Sequence, residues 1–322
     1  MLIRLQIVVA NGTILNANAN THSDLWQALK GGSNNFGIVT NFELFAFEQR
    51  DLWGGVVVLP GSATNDLIPA FVTFNDEIRD DPYSSLISFW QYASWTGTTN
   101  IINAWEYTKP IANPPAFDGL RSVSIHNLTD TMRITNMTDL TAELVQAYGF
   151  RDSFHTLTFA NDARILHKGI ELHNTLIKEA KEAGASGKWS IVTMFQPFPT
   201  LFFEHGVRKG GNVLGLDRDI GGRNLVLFQI DLSWQQETDD ALFDSIGQGM
   251  IDELGAFAES IGGLNEYVYL PYAYKTQDPL ATYGRENLRK MRRVAREYDP
   301  QGVFQTRVPG GFKLDAKGGT VE

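Results

Sequence analysis

The sequence predicts an α+β fold, a large antiparallel sheet covered by helices on one face. Apolar runs rich in β-branched and aromatic residues recur at 56–59, 86–92, 101–107, 189–195, 225–234 and 266–270. That composition suits a pleated surface buried on one side. Helical patterns lie between them, near 63–79, 138–148, 162–183 and 238–260. Few short crossovers join the strands, which favours antiparallel pairing with the helices gathered on one side.

The 322 residues suit two domains of about 150 each. Hydrophobic residues at 43% and charged residues at 20% are ordinary for a globular chain. A formal charge of −10 argues against a nucleic-acid partner, which needs a basic field to displace counterions. No apolar run approaches the ~20 residues of a membrane span, so no membrane partner is expected. Cysteine is absent, which excludes disulfides, Cys-ligated zinc, iron–sulfur clusters, a thiol nucleophile and a cysteinyl cofactor link. Met1 to Val9 reads as a strand and not as a leader peptide. Three N-x-S/T sequons, at Asn11, Asn127 and Asn136, lean toward secretion and leave the compartment open.

The elements at the two ends are marked in turn. Leu2 to Ala10 reads as a strand, Asn11-Gly12 as a hairpin turn, and Thr13 to Asn16 as the return strand. Ser23 or Asp24 can cap a short helix whose buried side is Leu25, Trp26, Ala28 and Leu29, and Gly31-Gly32 stops it. Phe36 to Phe47 alternates as a long strand. At the far end, a helix from Arg285 to Tyr298 carries one stripe of Leu288, Met291, Ala295 and Tyr298, and a strand-like Val303–Arg307 follows.

Chemistry-bearing residues are sparse. His22, His126, His155 and His205 are isolated, and His167 and His173 do not align on a helix, so no metal site is read. A G-x-S-x-G elbow, a P-loop and a strand-linked G-x-G-x-x-G are all missing. The basic helix with Arg285, Arg289, Lys290, Arg292, Arg293 and Arg296 reads as a solvated face in a chain this acidic. Strand 225–234 says more. Period two puts Val226, Phe228, Ile230, Leu232 and Trp234 on one face, and Gln229, Asp231 and Ser233 on the other. The half-polar face either meets solvent or lines a cavity.

The string Trp26-Gln27-Ala28-Leu29-Lys30-Gly31-Gly32-Ser33-Asn34-Asn35-Phe36-Gly37-Ile38-Val39-Thr40 is different in kind. Physically it is a helix end, a run of small residues allowing close backbone approach, then a strand. It resembles the W-A-L/I-K/R-G-G-G-x-N-F-G-I-V-T signature of berberine-bridge-enzyme-like flavin oxidases, in the vanillyl-alcohol-oxidase/PCMH superfamily, fungal members above all. Asn11-Gly12-Thr13 sits where that family has its hairpin. Gln277-Asp278-Pro279-Leu280, Tyr283 with Asn287, and Tyr298-Asp299-Pro300-Gln301-Gly302-Val303-Phe304 are similar to its closing elements.

The resemblance implies an FAD-binding domain of PCMH type interrupted by a substrate domain. Residues 1–48 then belong to the FAD domain, 49–273 form the substrate domain, and 274–322 return to the FAD domain. It implies FAD contacts at Gly31, Gly32, Asn35, Phe36, Gly37, Ile38, Val39, Tyr283 and Asn287. It also implies a small-molecule substrate near Gln229, Asp231 and Tyr269, with Tyr272 as catalytic base or hydrogen-bonder. The activity implied is an oxidase of secondary metabolism, with hydride passing to flavin N5 and molecular oxygen reoxidising the flavin. The family's Gly-rich pyrophosphate loop and its flavin-linking His and Cys have no counterpart here, so the chain alone is expected to hold FAD weakly or not at all and to show no oxidase activity. Pro271 also replaces the Asn of a common Y-x-N-Y element, removing an amide donor. The alternative is a flavin-free small-molecule-binding protein or an inactive remnant.

Overall fold

A computed structural model describes residues 2–123, 127–146 and 148–314, so His126 and Ala147 of the readings above lie outside the described residues. In chain order, β1 (Leu2–Val8), β2 (Ile14–Asn18), α1 (Ser23–Leu29) and β3 (Ile38–Leu44) come first. They are followed by β4 (Leu52–Pro60), α2 (Thr64–Glu77), β5 (Ser84–Ala93), β6 (Thr98–Tyr107) and the short α3 (Asp118–Arg121). Next are β7 (Thr129–Asp130), β8 (Arg133–Thr135), α4 (Met137–Thr141), β9 (Arg151–Ala160), α5 (Ala163–Glu182), β10 (Trp189–Phe198) and α6 (Thr200–Arg208). The chain closes with β11 (Leu225–Trp234), α7 (Asp240–Ser260), β12 (Leu264–Asn265), α8 (Arg285–Tyr298) and α9 (Val303–Thr306).

Contacts divide the chain into two units. The first holds residues 1–48, 200–222 and 275–322, and the second holds 49–199 and 223–274. The excursion 200–222 from the middle of the chain into the first unit is not visible in the sequence pattern.

In the first unit, β1 pairs antiparallel with β2 on one side and β3 on the other. Gly12, at φ 82, makes the hairpin turn that the Asn-Gly pair predicts. Asn35 ties the unit together: its amide donates to the carbonyls of Gly32 and Phe312 at 2.8 and 2.9 Å, and its oxygen accepts from Leu314 N at 3.3 Å. Buried Asp299 accepts from Val303 N and Phe304 N at 2.9 and 2.7 Å. Those bonds cap a helical turn, which is why residues 303–306 form α9 and not the expected strand.

In the second unit, the large sheet has the order β12-β9-β11-β10-β5-β6-β4-β7, with β8 also on β4. Among the described residues every strand pairing in it is antiparallel. Residues directly opposite in such a pair share a face, so the register sorts the whole sheet. Val226, Phe228, Ile230, Leu232 and Trp234 of β11 lie in one core with Ile191 and Phe195 of β10 and Trp90 of β5. The inner stripes of α2, α5 and α7 complete that core. In α5 the stripe is Ile165, Leu166, Gly169, Ile170, His173, Leu176, Ile177 and Ala180, at helical spacing. Asp162 accepts from Arg164 N to start that helix.

Two further expectations are corrected. The run 266–270 is not a strand: only Leu264–Asn265 pairs with β9, and Pro271 then sits in a 3₁₀ turn at Leu270–Tyr272. The helix read over 138–148 shortens to Met137–Thr141 with a 3₁₀ turn after it. No apolar run marks strand β9, because His155, Thr156 and Thr158 break its pattern although all three are buried.

Phe195 is the centre of the core. Its ring lies 5.4 Å from that of Trp90, 5.6 Å from Phe228, and 6.4 Å from both Phe71 and Phe159. Phe195→Ala is therefore expected to lower the unfolding free energy by about 3–5 kcal/mol in urea titrations, and Phe195→Leu by clearly less.

Candidate functional site

The first unit contains an apolar groove of about 480 Å³. Leu2, Leu5, Leu29, Phe42 and Phe304 form its walls, Lys30, Ser33 and Asn34 its polar rim, and Gly37, Ile38 and Val39 one side. That side is an edge strand, because β3 pairs with β1 and no other strand borders it among the described residues. Its outer peptide groups are open to hydrogen bonding. Gly37 is fixed by packing: a Cβ there would come within 2.5 Å of the Val8 carbonyl oxygen.

Of the residues assigned to a cofactor by resemblance, Gly37, Ile38 and Val39 line this groove. Gly31 and Gly32 stand behind it: a Cβ on Gly31 would meet Leu214, and one on Gly32 would meet the Phe36 ring. Asn35 and Phe36 are fully buried. Tyr283 is buried and donates to Gly31 O at 3.4 Å, so the two distant sequence segments do meet. Asn287, in the first turn of α8, donates to Tyr283 O at 3.1 Å.

The second unit presents a different surface. Gln229, Asp231 and Ser233 share the face of the sheet opposite to the helices, beside Met194, Val192 and Ser190 of β10 and Thr156, Phe154 and Asp152 of β9. Asp231 is 9% exposed. Its Oδ2 accepts from Gln146 Nε2 at 2.6 Å, and its Oδ1 has no partner. Burial, with the charge of Asp152 second, pushes this carboxyl up to about 7, against the pull of the Gln146 bond. Ser233 donates to Asp152 at 2.6 Å.

Tyr272 covers the same face. Its hydroxyl accepts from Gln196 Nε2 at 3.2 Å, and its ring meets Phe154 edge-on at 6.4 Å and Tyr269 at 4.9 Å. Burial raises the Tyr269 phenol. Farther along this face, Glu106 is pushed up to about 7 by burial, with Ser85 as its hydrogen-bond partner. Sequence reasoning missed Gln146, Gln196 and Glu106. Alternation along β10 could have found Gln196, whereas nothing in the chain pairs Gln146 with Asp231. The surface joins a poised carboxyl, a phenol and flat aromatic rings, which suits proton transfer on a small organic molecule.

A carboxyl raised in the fold binds its proton more tightly there than in the unfolded chain, so its contribution to stability is present at low pH and lost as pH climbs toward 7. Wild type is therefore expected to lose stability relative to Asp231→Asn between about pH 4 and pH 7, as followed by urea midpoints. A constant difference across that range would contradict the assignment.

No family model matches the chain. It is 40% identical over 312 residues to the FAD-dependent monooxygenase sdcF of Emericella nidulans, covering 96% of this chain and 64% of that one. The chain thus spans under two thirds of that relative's length. It is 30% identical over 331 residues to the FAD-dependent monooxygenase elcE of Phaeosphaeria nodorum, covering 98% of this chain and 93% of that one. Among solved structures, a variant of Physcomitrella patens BBE-like 1 aligns with a TM-score of 0.70 at 16% identity, over 94% of this chain and 63% of that one. A VAO-type flavoprotein from Myceliophthora thermophila aligns with a TM-score of 0.63 at 16% identity, over 94% and 55%. With the fold shared at low identity and a relative matched over most of its length, the chain belongs to the family of FAD-dependent monooxygenases built on the VAO-type flavoprotein fold.

Proposed function

We propose that the protein is an FAD-linked oxidoreductase of the berberine-bridge-enzyme-like type, acting on a small organic molecule of secondary metabolism. The observation that carries this reading is Asp231: a buried carboxyl near neutrality, with one oxygen unpartnered, on the face of the second unit's sheet opposite the helices. A general acid–base works best when its pKa lies near the working pH. The relatives' names supply the cofactor class, and the groove of the first unit fits part of it. An apolar slot beside an open strand edge suits a planar heteroaromatic ring, which Leu5, Phe304 and the backbone of Ile38 and Val39 would hold.

Bound FAD would supply the two-electron acceptor, which molecular oxygen can renew. The chain's own residues do the rest. Asp231 takes the proton from a substrate hydroxyl or amine, and Gln146 holds its other oxygen in place. Tyr272 accepts from Gln196 and so keeps its own proton to donate to substrate oxygen. Phe154 and Tyr269 pack around it and exclude water. One observation favours the flavin-free alternative: the spaces beside Gly31, Gly32 and Gly37 are filled by the chain itself.

Titration of the chain with FAD separates the two readings. Weak, saturable quenching of flavin fluorescence is expected, lost on desalting and weakened about tenfold by Phe42→Lys. Absence of saturation would favour the flavin-free protein. In a flavin-loaded preparation, Asp231→Asn is expected to lower kcat by about 10²–10⁴ while leaving FAD affinity unchanged. A variant with full kcat would remove Asp231 from the chemistry.

A further inference from the structure

We propose that a cavity in the first unit, between α6, the glycine loop that follows it and the end of α1, binds a phosphate group. It has a volume of about 300 Å³. Lys30, His205 and Lys209 line it, together with Gly206, Gly211 and Asn212. The chain as a whole carries −10, yet the side chains that reach this cavity are cationic or neutral.

The cations are held in place. Lys30 Nζ stands 3.3 Å over the centre of the Trp26 ring. Gly210, at φ +89, lies flat on that same indole, where a Cβ would come within 2.8 Å of the ring. Gln27 ties the parts together: its Nε2 donates to Gly210 O at 3.0 Å and its Oε1 accepts from Lys290 Nζ. Asn212 Oδ1 accepts from Leu214 N at 2.9 Å, which leaves the amide nitrogen on the Gly206 side, 3.2 Å from where a Cβ of Gly206 would lie.

No ion pair among the described residues neutralises Lys30, Lys209 or Lys290. Gathering cations without a counter-charge is unfavourable, and the Lys30 amine registers it, lowered to about 8 by burial first and by Lys290 second. A bound anion reverses that term. Two lysines, a histidine and an amide in the lining offer several N–H donors at once, which suits a tetrahedral phosphate with several oxygens better than a flat carboxylate. The same chemistry could be presented by the diphosphate of a dinucleotide or by a separate phosphorylated metabolite.

Calorimetric titration of the full chain with inorganic pyrophosphate at low salt tests this without any flavin, so its failure would leave the flavin reading standing. Saturable binding is expected, weakened by added salt and about tenfold by Lys30→Met. Lys209→Met is expected to do the same, and because Lys209 is exposed it keeps the test valid if Lys30→Met fails to fold. Lys178→Met, an exposed cation on α5, is expected to change nothing. No saturable binding, or an equal loss in Lys178→Met, would overturn the proposal. FAD that displaces pyrophosphate assigns the cavity to the dinucleotide's diphosphate, and FAD that leaves it bound assigns the cavity to another phosphorylated ligand; either result supports a phosphate site.

Discussion

Pleat alternation in the antiparallel sheet is the constraint on which the rest of the second unit depends. Side chains of successive residues point to opposite faces, so a strand that gives Phe228, Ile230 and Leu232 to the helix side must give Gln229, Asp231 and Ser233 to the other. A slip of one residue would carry Asp231 into the core under α7 and bring Leu232 out. Burial of that core by α2, α5 and α7 holds the register. The stability of the fold and the position of its chemistry are thus one fact seen from two sides.

The same geometry accounts for the state of Asp231. A carboxyl on a broad sheet is surrounded by neighbours on both flanking strands, here Val192 and Phe154, and loses most of its water. Gln146 returns one hydrogen bond, but an amide compensates a buried negative charge less than a cation does. Asp152 adds like charge. The outcome is a group that can hold or release a proton near neutrality.

How much of this could be read from the chain depended on locality. The hairpin at Asn11-Gly12, the Gly-stopped α1, and helices α2, α5, α7 and α8 follow from turn chemistry and apolar period, and were legible. So was the two-faced character of β11. Strand β9 was not, since its buried His155 and threonines are placed by neighbouring strands and helices and not by their own sequence. Val303–Thr306 and the run 266–270 were misread for a related reason. Their apolar residues fit a strand, but Asp299 caps the first into a helix and Pro271 interrupts the second. At the site, motif residues such as Gly37 and Tyr283 could be named from resemblance, whereas Gln146, Gln196 and the loop that brings Lys209 toward Lys30 are tertiary facts.

The chain contains no native cysteine, so single introduced thiols report on each face of the sheet without interference. Ser233→Cys places one at a partly exposed position on the face opposite the helices, and Ser88→Cys places one opposite Phe195, beneath the helices. The decisive measurement is the rate at which each thiol reacts with a soluble disulfide reagent under native conditions. A two-faced sheet predicts that Ser233→Cys reacts without unfolding, while Ser88→Cys reacts only as fast as the molecule opens globally. Equal rates, or a protected Ser233→Cys beside a reactive Ser88→Cys, would contradict the account.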